Sequence, residues 1–243
     1  MIPVRYFILF GKTIYWYTFL NVASYFVLWA FLIVLTLRHM EDLGEKSKPW
    51  ALIKTFLFTS VMIWGANAMN TLLAKWFTQE HANYFGNLFF APLFMLILCL
   101  ILKIEPKKRL DYYIPGLGLA LAVCKSACFC AGCCYGKYWG AGMYNYVNRR
   151  FEVPCALIEG IIAILLFLLL IFLRNKVKRG TIAPIYVFLY GFTRFFVEFL
   201  RDDMFPFIYF HMNVWQLQCI AAMILGGIGY VIAVKYEKKP EKI

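Results

Sequence analysis

The chain has 243 residues, 63% of them hydrophobic and 16% charged, with a net charge of +12. Soluble domains sit nearer half apolar and a quarter charged, so this composition excludes an ordinary soluble domain and points to an integral membrane protein. The positive charge is spread over short flanks rather than set in one patch interleaved with aromatics, which excludes a nucleic-acid partner.

Taken in chain order, apolar blocks about as long as a bilayer is thick predict seven spans. They are Trp16–Leu37, Ala51–Leu72, Tyr84–Lys103, Tyr113–Gly132, Val153–Leu173, Ile182–Leu200 and Val214–Lys235. The second carries Asn67 and Asn70, and the fourth is interrupted by Pro115, Gly116, Gly118 and Lys125. Arg5 and Lys12 precede the first span without a small-residue cleavage site, so that span is expected to stay. No linker or repeat divides the chain, which reads as one all-α, membrane-embedded domain over residues 1–243.

Orientation follows from the flanks. Alternate connections and the C-terminal tail carry four Lys or Arg each, sixteen in all, against seven in the other set. The richer set belongs in the cytoplasm. The N-terminus is therefore expected outside and the C-terminus inside, a parity that fits seven spans. Aromatic belts at the interfaces account for most tyrosines and tryptophans. The longer aromatic segment Lys137–Glu152 reads either as a cover over a cavity or as a loop lying on the interface.

Ionisable residues at bilayer depth are costly and default to functional hypotheses. Lys125, Glu159, Arg194 and Glu198, with Arg201 at the rim, all fall in the outer halves of their spans. In YGFTRFFVEFLRDD, Tyr190, Arg194, Glu198 and Arg201 are spaced 4, 4 and 3, which is one helical face. Arg194 and Glu198 form an i,i+4 pair there, with Arg201 in reach of Glu198. Such a row is either a buried network locking helices together or a polar cavity open to phospholipid headgroups, where an arginine fork suits a phosphate.

Several stretches together resemble the prolipoprotein diacylglyceryl transferase family. YGFTRFFVEFLR is similar to the family's YG-x-x-R-x-x-x-E-x-x-R helix. Asp111 and Pro115, followed by CKSACFCAGCCYG, resemble its D-x-x-x-P element and its G-R-x-G-N-F-x-N-G-E-x-x-G element. On the latter, Cys124, Lys125, Ala127, Cys128, Phe129, Ala131, Gly132, Cys133 and Gly136 fall on motif positions. PCALIE resembles P-S-Q-L-Y-E, retaining Pro154, Leu157 and Glu159. FGKTIYWYTF places Tyr17 at the family's functional tyrosine, and NVWQLQ places Gln216 at the start of the last helix. The chain departs from the pattern at Lys125 for arginine, Cys128 and Ala131 for asparagines, and Cys133 for glutamate. In place of the family's H-G-G element stands YFGNLFF, with Phe85 at the histidine, Gly86 and Asn87 after it, Tyr84 beside it and His81 nearby.

The resemblance implies transfer of the diacylglyceryl group of phosphatidylglycerol to the lipobox cysteine of a prolipoprotein signal peptide. It also implies a bacterial cytoplasmic (inner) membrane location. It gives Arg194, Lys125, Glu198 and Tyr17 catalytic roles, and Arg201, Glu159, Gly132, Gly136, Tyr190 and Gln216 substrate-binding roles. No cofactor or metal is expected. The cysteines offer C-x-C-x-x-C-C, which fits no common zinc knuckle, and read as small soft residues between close helices. Two other readings stand beside the transferase: a non-catalytic or transport-type protein binding anionic lipid, and a thiol-redox membrane protein.

Overall fold

A computed structural model describes residues 6–9, 12–76, 84–202 and 212–235. Nine α-helices dominate among them. A short antiparallel hairpin, β1 (Tyr6–Leu9) and β2 (Lys12–Tyr15), leads directly into α1 (Trp16–Arg38). Next come α2 (Lys48–Ser60), a π-helical turn (Val61–Gly65) and α3 (Ala66–Trp76), then α4 (Tyr84–Ile101). The pair α5 (Pro106–Tyr113) and α6 (Pro115–Ala131) is parted at Ile114. A second hairpin, β3 (Tyr138–Asn145) and β4 (Arg150–Glu152), precedes α7 (Cys155–Leu173), α8 (Ile182–Glu198) and α9 (Val214–Lys235).

Among the described residues, five stretches are long and apolar enough to cross a membrane: Trp16–Arg38, Lys48–Met69, Pro106–Ala131, Cys155–Leu173 and Val214–Lys235. Their apolar side chains are largely uncovered. In α9 only 17% of the most apolar window is buried, and Ile224, Leu225, Ile228 and Val231 face outward. An apolar surface of that extent needs lipid around it. The other two predicted spans are shorter here. The helix α4 has 18 residues, Tyr84–Ile101, and α8 stops after 17 residues at Glu198, so Arg201 lies beyond the helix rather than on its face.

The chain forms two compact units. One holds Met1–Leu28, Gly116–Leu169 and Tyr190–Ala221; the other holds Trp29–Pro115, Leu170–Leu189 and Ala222–Ile243.

The second unit is organised around buried polar groups. Thr55 Oγ1 donates to Thr36 Oγ1 at 3.0 Å, and the Tyr113 hydroxyl lies 2.9 Å from both threonines. Arg109 donates to Tyr113 at 3.2 Å and to Glu45 at 2.5 Å, with its guanidinium 4.9 Å from the centre of the Phe58 ring. Each side chain in this chain of donors has at least one partner, as burial requires, while Arg109 Nε is left without one. Asp111 accepts the backbone N–H groups of Gly180 and Ile182, at 2.6 and 3.1 Å. It thereby satisfies orphan donors at the positive start of α8. The aspartate of the D-x-x-x-P element is thus structural, since it caps another helix.

In the first unit, α6 and α7 meet through small residues. A Cβ on Gly118 would stand 3.1 Å from the Ala163 carbonyl, and one on Gly160 3.6 Å from the Lys125 Cβ. That close approach sets Lys125 opposite Glu159.

Candidate functional site

The charges predicted at bilayer depth converge on one carboxylate. Glu159, just past the first turn of α7, is buried. Its Oε1 accepts from Arg194 Nη1 at 2.6 Å and from Arg201 Nη1 at 2.9 Å. Lys125 Nζ sits 2.5 Å from its Oε2, in a charge contact. Arg194 turns the other end of its fork to Glu198 Oε2 at 2.9 Å, the i,i+4 pair read from the sequence. Arg201 takes Glu159 as its hydrogen-bond acceptor where the helical-face reading expected Glu198, because α8 has ended and a turn carries Arg201 back across it. Among the described residues three cations face two carboxylates, an excess of one positive charge. A buried surplus of that sign calls for an anion.

The predicted binding residues mostly hold this cluster in place. Gln216 and Asn213 form a reciprocal cap on α9: Gln216 N donates to Asn213 Oδ1 at 2.8 Å, and Asn213 N donates to Gln216 Oε1 at 3.0 Å. Asn213 Nδ2 then donates to Glu198 Oε1 at 3.1 Å. Tyr190 is buried one turn before Arg194, within electrostatic range of it.

Gly136 pairs its backbone with Arg201 and donates its N–H to Val153 at 2.9 Å. A Cβ there would meet the Leu200 carbonyl at 2.6 Å and Val153 Cβ at 2.7 Å. Gly132, at φ +70°, ends α6 and lies under the β3–β4 turn, where a Cβ would meet Val147 at 2.6 Å. Tyr17 is half-exposed and stands on the α1 face that meets the cysteines of α6, where Cys124 donates to Asn21 Oδ1 at 3.2 Å. The sites read at His81 and at the side chains of Tyr84, Phe85, Gly86 and Asn87 lie outside the described residues.

Sequence reasoning missed the hairpin's own polar set. Glu152 is fully buried and accepts from Asn145 at 2.8 Å, Asn148 at 2.9 Å and Arg150 at 2.5 Å. Asn145 also donates to the Gly132 carbonyl at 3.1 Å, and Arg150 reaches Asp202 at 2.6 Å. Glu152 and then Asp202 raise the affinity of the Arg150 guanidinium for its proton. These bonds tie the segment to the ends of α6 and α8, so it is a braced hairpin. The run N-x-x-N-x-R-x-E was the available signal: polar residues this dense in an aromatic loop need partners.

Comparison with known proteins matches residues 4–232 to the family described as prolipoprotein diacylglyceryl transferase. The chain belongs to that family. The match runs through both compact units. A phosphatidylglycerol–prolipoprotein diacylglyceryl transferase of Finegoldia magna is 26% identical over 244 residues, covering 96% of this chain and 95% of its own. One from Streptococcus uberis is 28% identical, covering 78% and 76%. One from Clostridium tetani is 36% identical over a shorter stretch, 40% and 42%. The family resemblance read from the motifs is therefore correct, and the protein is a membrane protein of mainly helical fold.

Three cysteines complete the picture at the end of α6. The Sγ atoms of Cys128, Cys133 and Cys134 all lie within 4.8 Å of one another. Cys128 and Cys133 occupy positions where the family motif carries polar residues.

Proposed function

We propose that the protein transfers the diacylglyceryl group of phosphatidylglycerol to the lipobox cysteine of prolipoproteins. It does so as a single seven-span domain with its N-terminus outside, on the outer side of the bacterial inner membrane. The observation that carries this reading is the Glu159 cluster, with three cations held by two carboxylates in a membrane protein of this family.

A phosphodiester carries one negative charge, which matches the surplus. Lys125 and Arg194 are the groups proposed to touch the phosphate. Glu159 and Glu198 position them, and their oxygens are engaged by those cations and by Asn213. Arg201 completes the cradle, and Tyr17 hydrogen-bonds the headgroup. In the reaction the acceptor's thiol sulfur bonds to the glycerol carbon that bears the phosphate. The carbon–oxygen bond breaks and its electron pair stays on the departing oxygen. The thiol proton ends on the released glycerol phosphate. Negative charge grows on that phosphate as it leaves, and preorganised cations are what stabilise it. The nucleophile comes from the substrate, so no cysteine of this chain takes part.

The test is release of glycerol phosphate from phosphatidylglycerol by the purified protein with a lipobox peptide, beside Arg194→Ala. Release that requires the peptide and disappears in the variant supports the transferase. Phosphatidylglycerol binding that weakens in the variant, with no release by either protein, favours a lipid binder without transfer.

A further inference from the structure

The turn after α6 is built to bring sulfur atoms together. Cys133 N donates to the Cys128 carbonyl at 3.2 Å, and Gly132 N to the Phe129 carbonyl at 3.3 Å. These bonds fold the chain back over the helix end, with Gly132 at φ +70°. Cys134 then also takes a positive φ, 54°. Glycine or asparagine takes that conformation readily; a cysteine there is strained. Strain of this kind is held only where surrounding structure over-determines it, and it clusters at functional sites.

Its effect is that two consecutive side chains, which would otherwise diverge, both return to Cys128. The three Sγ atoms stand within 4.8 Å of one another. Thiolates about 2.3 Å from a zinc ion are themselves roughly 3.8–4.0 Å apart, so ligation needs a contraction of under about 1 Å. Cys128 is buried while Cys133 and Cys134 are partly exposed, which leaves an approach for an ion.

We propose that Cys128, Cys133 and Cys134 form a binding site for a soft d10 cation, zinc(II) or copper(I). Three thiolates alone suit copper(I). Zinc prefers four ligands, and Cys124, one turn before Cys128 on the same helix, becomes the fourth if its thiol leaves Asn21 Oδ1. Binding exchanges the thiol protons for the metal and involves no change of oxidation state. The expectation of packing cysteines changes because sequence spacing does not reveal the backbone reversal at Cys134.

The test reads metal, not transferase activity, so it stands or falls separately from the function proposed above. Protein purified in detergent under reducing conditions is analysed for zinc and copper, then stripped and titrated with cadmium(II) while the thiolate-to-metal charge-transfer band is followed. About one equivalent per chain is expected. The Cys133→Ser/Cys134→Ser double variant loses the band, and Cys130→Ser keeps it. Loss at Cys124→Ser adds Cys124 as a fourth thiolate and retention leaves three, while the elemental analysis says which metal the site holds. A readout on the wild-type chain guards against a misfolded variant: bound metal shields Cys128, Cys133 and Cys134 from alkylation, peptide by peptide, but not Cys130. No band in the reduced wild-type protein, no such shielding, or metal retained by the double variant overturns the proposal.

Discussion

Glu159 and Arg194, 35 residues apart, are joined by a 2.6 Å hydrogen bond between Oε1 and Nη1, and both are buried. Removing the carboxylate would leave Lys125, Arg194 and Arg201 facing one another with Glu198 as the remaining carboxylate among the described residues. Breaking a buried pair in this way costs about 3–5 kcal/mol. Glu159→Gln keeps the shape and removes the charge, so it should lower the thermal midpoint in detergent and abolish glycerol phosphate release. A variant with wild-type midpoint and turnover would refute the central place of Glu159.

Arg194 uses two nitrogens on two acceptors, Glu159 and Glu198. A lysine reaches one. A hydrogen bond to a charged group contributes about 1.5–3 kcal/mol, so Arg194→Lys should reduce kcat/KM by roughly ten- to a hundredfold, and Arg194→Ala by more. Steady-state kinetics with phosphatidylglycerol as the varied substrate would separate the two. Equal rates for lysine and arginine would mean that charge alone suffices.

Gln216 acts on the cluster through Asn213. Gln216→Ala removes one half of the cap and should cost about 1 kcal/mol, a fall of about 2–4 °C in the thermal midpoint. It should also slow transfer, because Asn213 loses its hold while keeping its contact with Glu198. Gln216→Glu, which retains the acceptor, should restore the midpoint. A fall in turnover with no change in midpoint would point instead to direct contact between Gln216 and the lipid.

Gly136 has no room for a side chain between Leu200 and Val153. Gly136→Ala must push apart the backbone pairing that holds Arg201. Transfer should fall with it, while Gly140→Ala, on an open part of β3, should behave as wild type. Normal activity in Gly136→Ala would show that the Arg201 segment is not held by this pairing.

Glu45 supplies a pH signature far along the chain from the cluster. Burial pushes its carboxyl up, but the bonds from Lys54 and Arg109 outweigh it and hold the group below its usual 4.5. A depressed folded value gives stability that is complete above the unfolded value and lost as pH falls through the folded one. The thermal midpoint should therefore be level through neutral pH and drop below about 4.5. In Glu45→Gln the midpoint should be lower at pH 7 and its acid limb shallower. An unchanged acid limb would assign it to other carboxylates.

Much of this was legible in the residues. Length and hydropathy placed the helices, because a bilayer allows few alternatives to a long apolar helix. The rarity of charge in those helices singled out Lys125, Glu159, Arg194 and Glu198 by residue type alone. What the sequence concealed depends on where the chain turns. Arg201 was assigned to a helical face that ends three residues earlier. The β1–β2 and β3–β4 hairpins are too short and too aromatic to stand out beside membrane-interface residues. The reversal at Cys134 uses a conformation that cysteine seldom adopts, so nothing in C-x-C-x-x-C-C announced it. Asn213 and Gln216 did carry a capping pattern, but only the fold shows that the cap's free amide points at Glu198.

That amide restricts which residue can begin α9. Serine, threonine, aspartate and asparagine all start helices well. At position 213 the side chain must accept from Gln216 with one atom and donate to Glu198 with another. Aspartate would set a second negative charge against Glu198, and the shorter hydroxyls have a single oxygen for both bonds. Of four residues that helix formation would accept equally, the neighbouring carboxylate leaves asparagine, so a choice that looks like local helix chemistry is made by electrostatics from another helix.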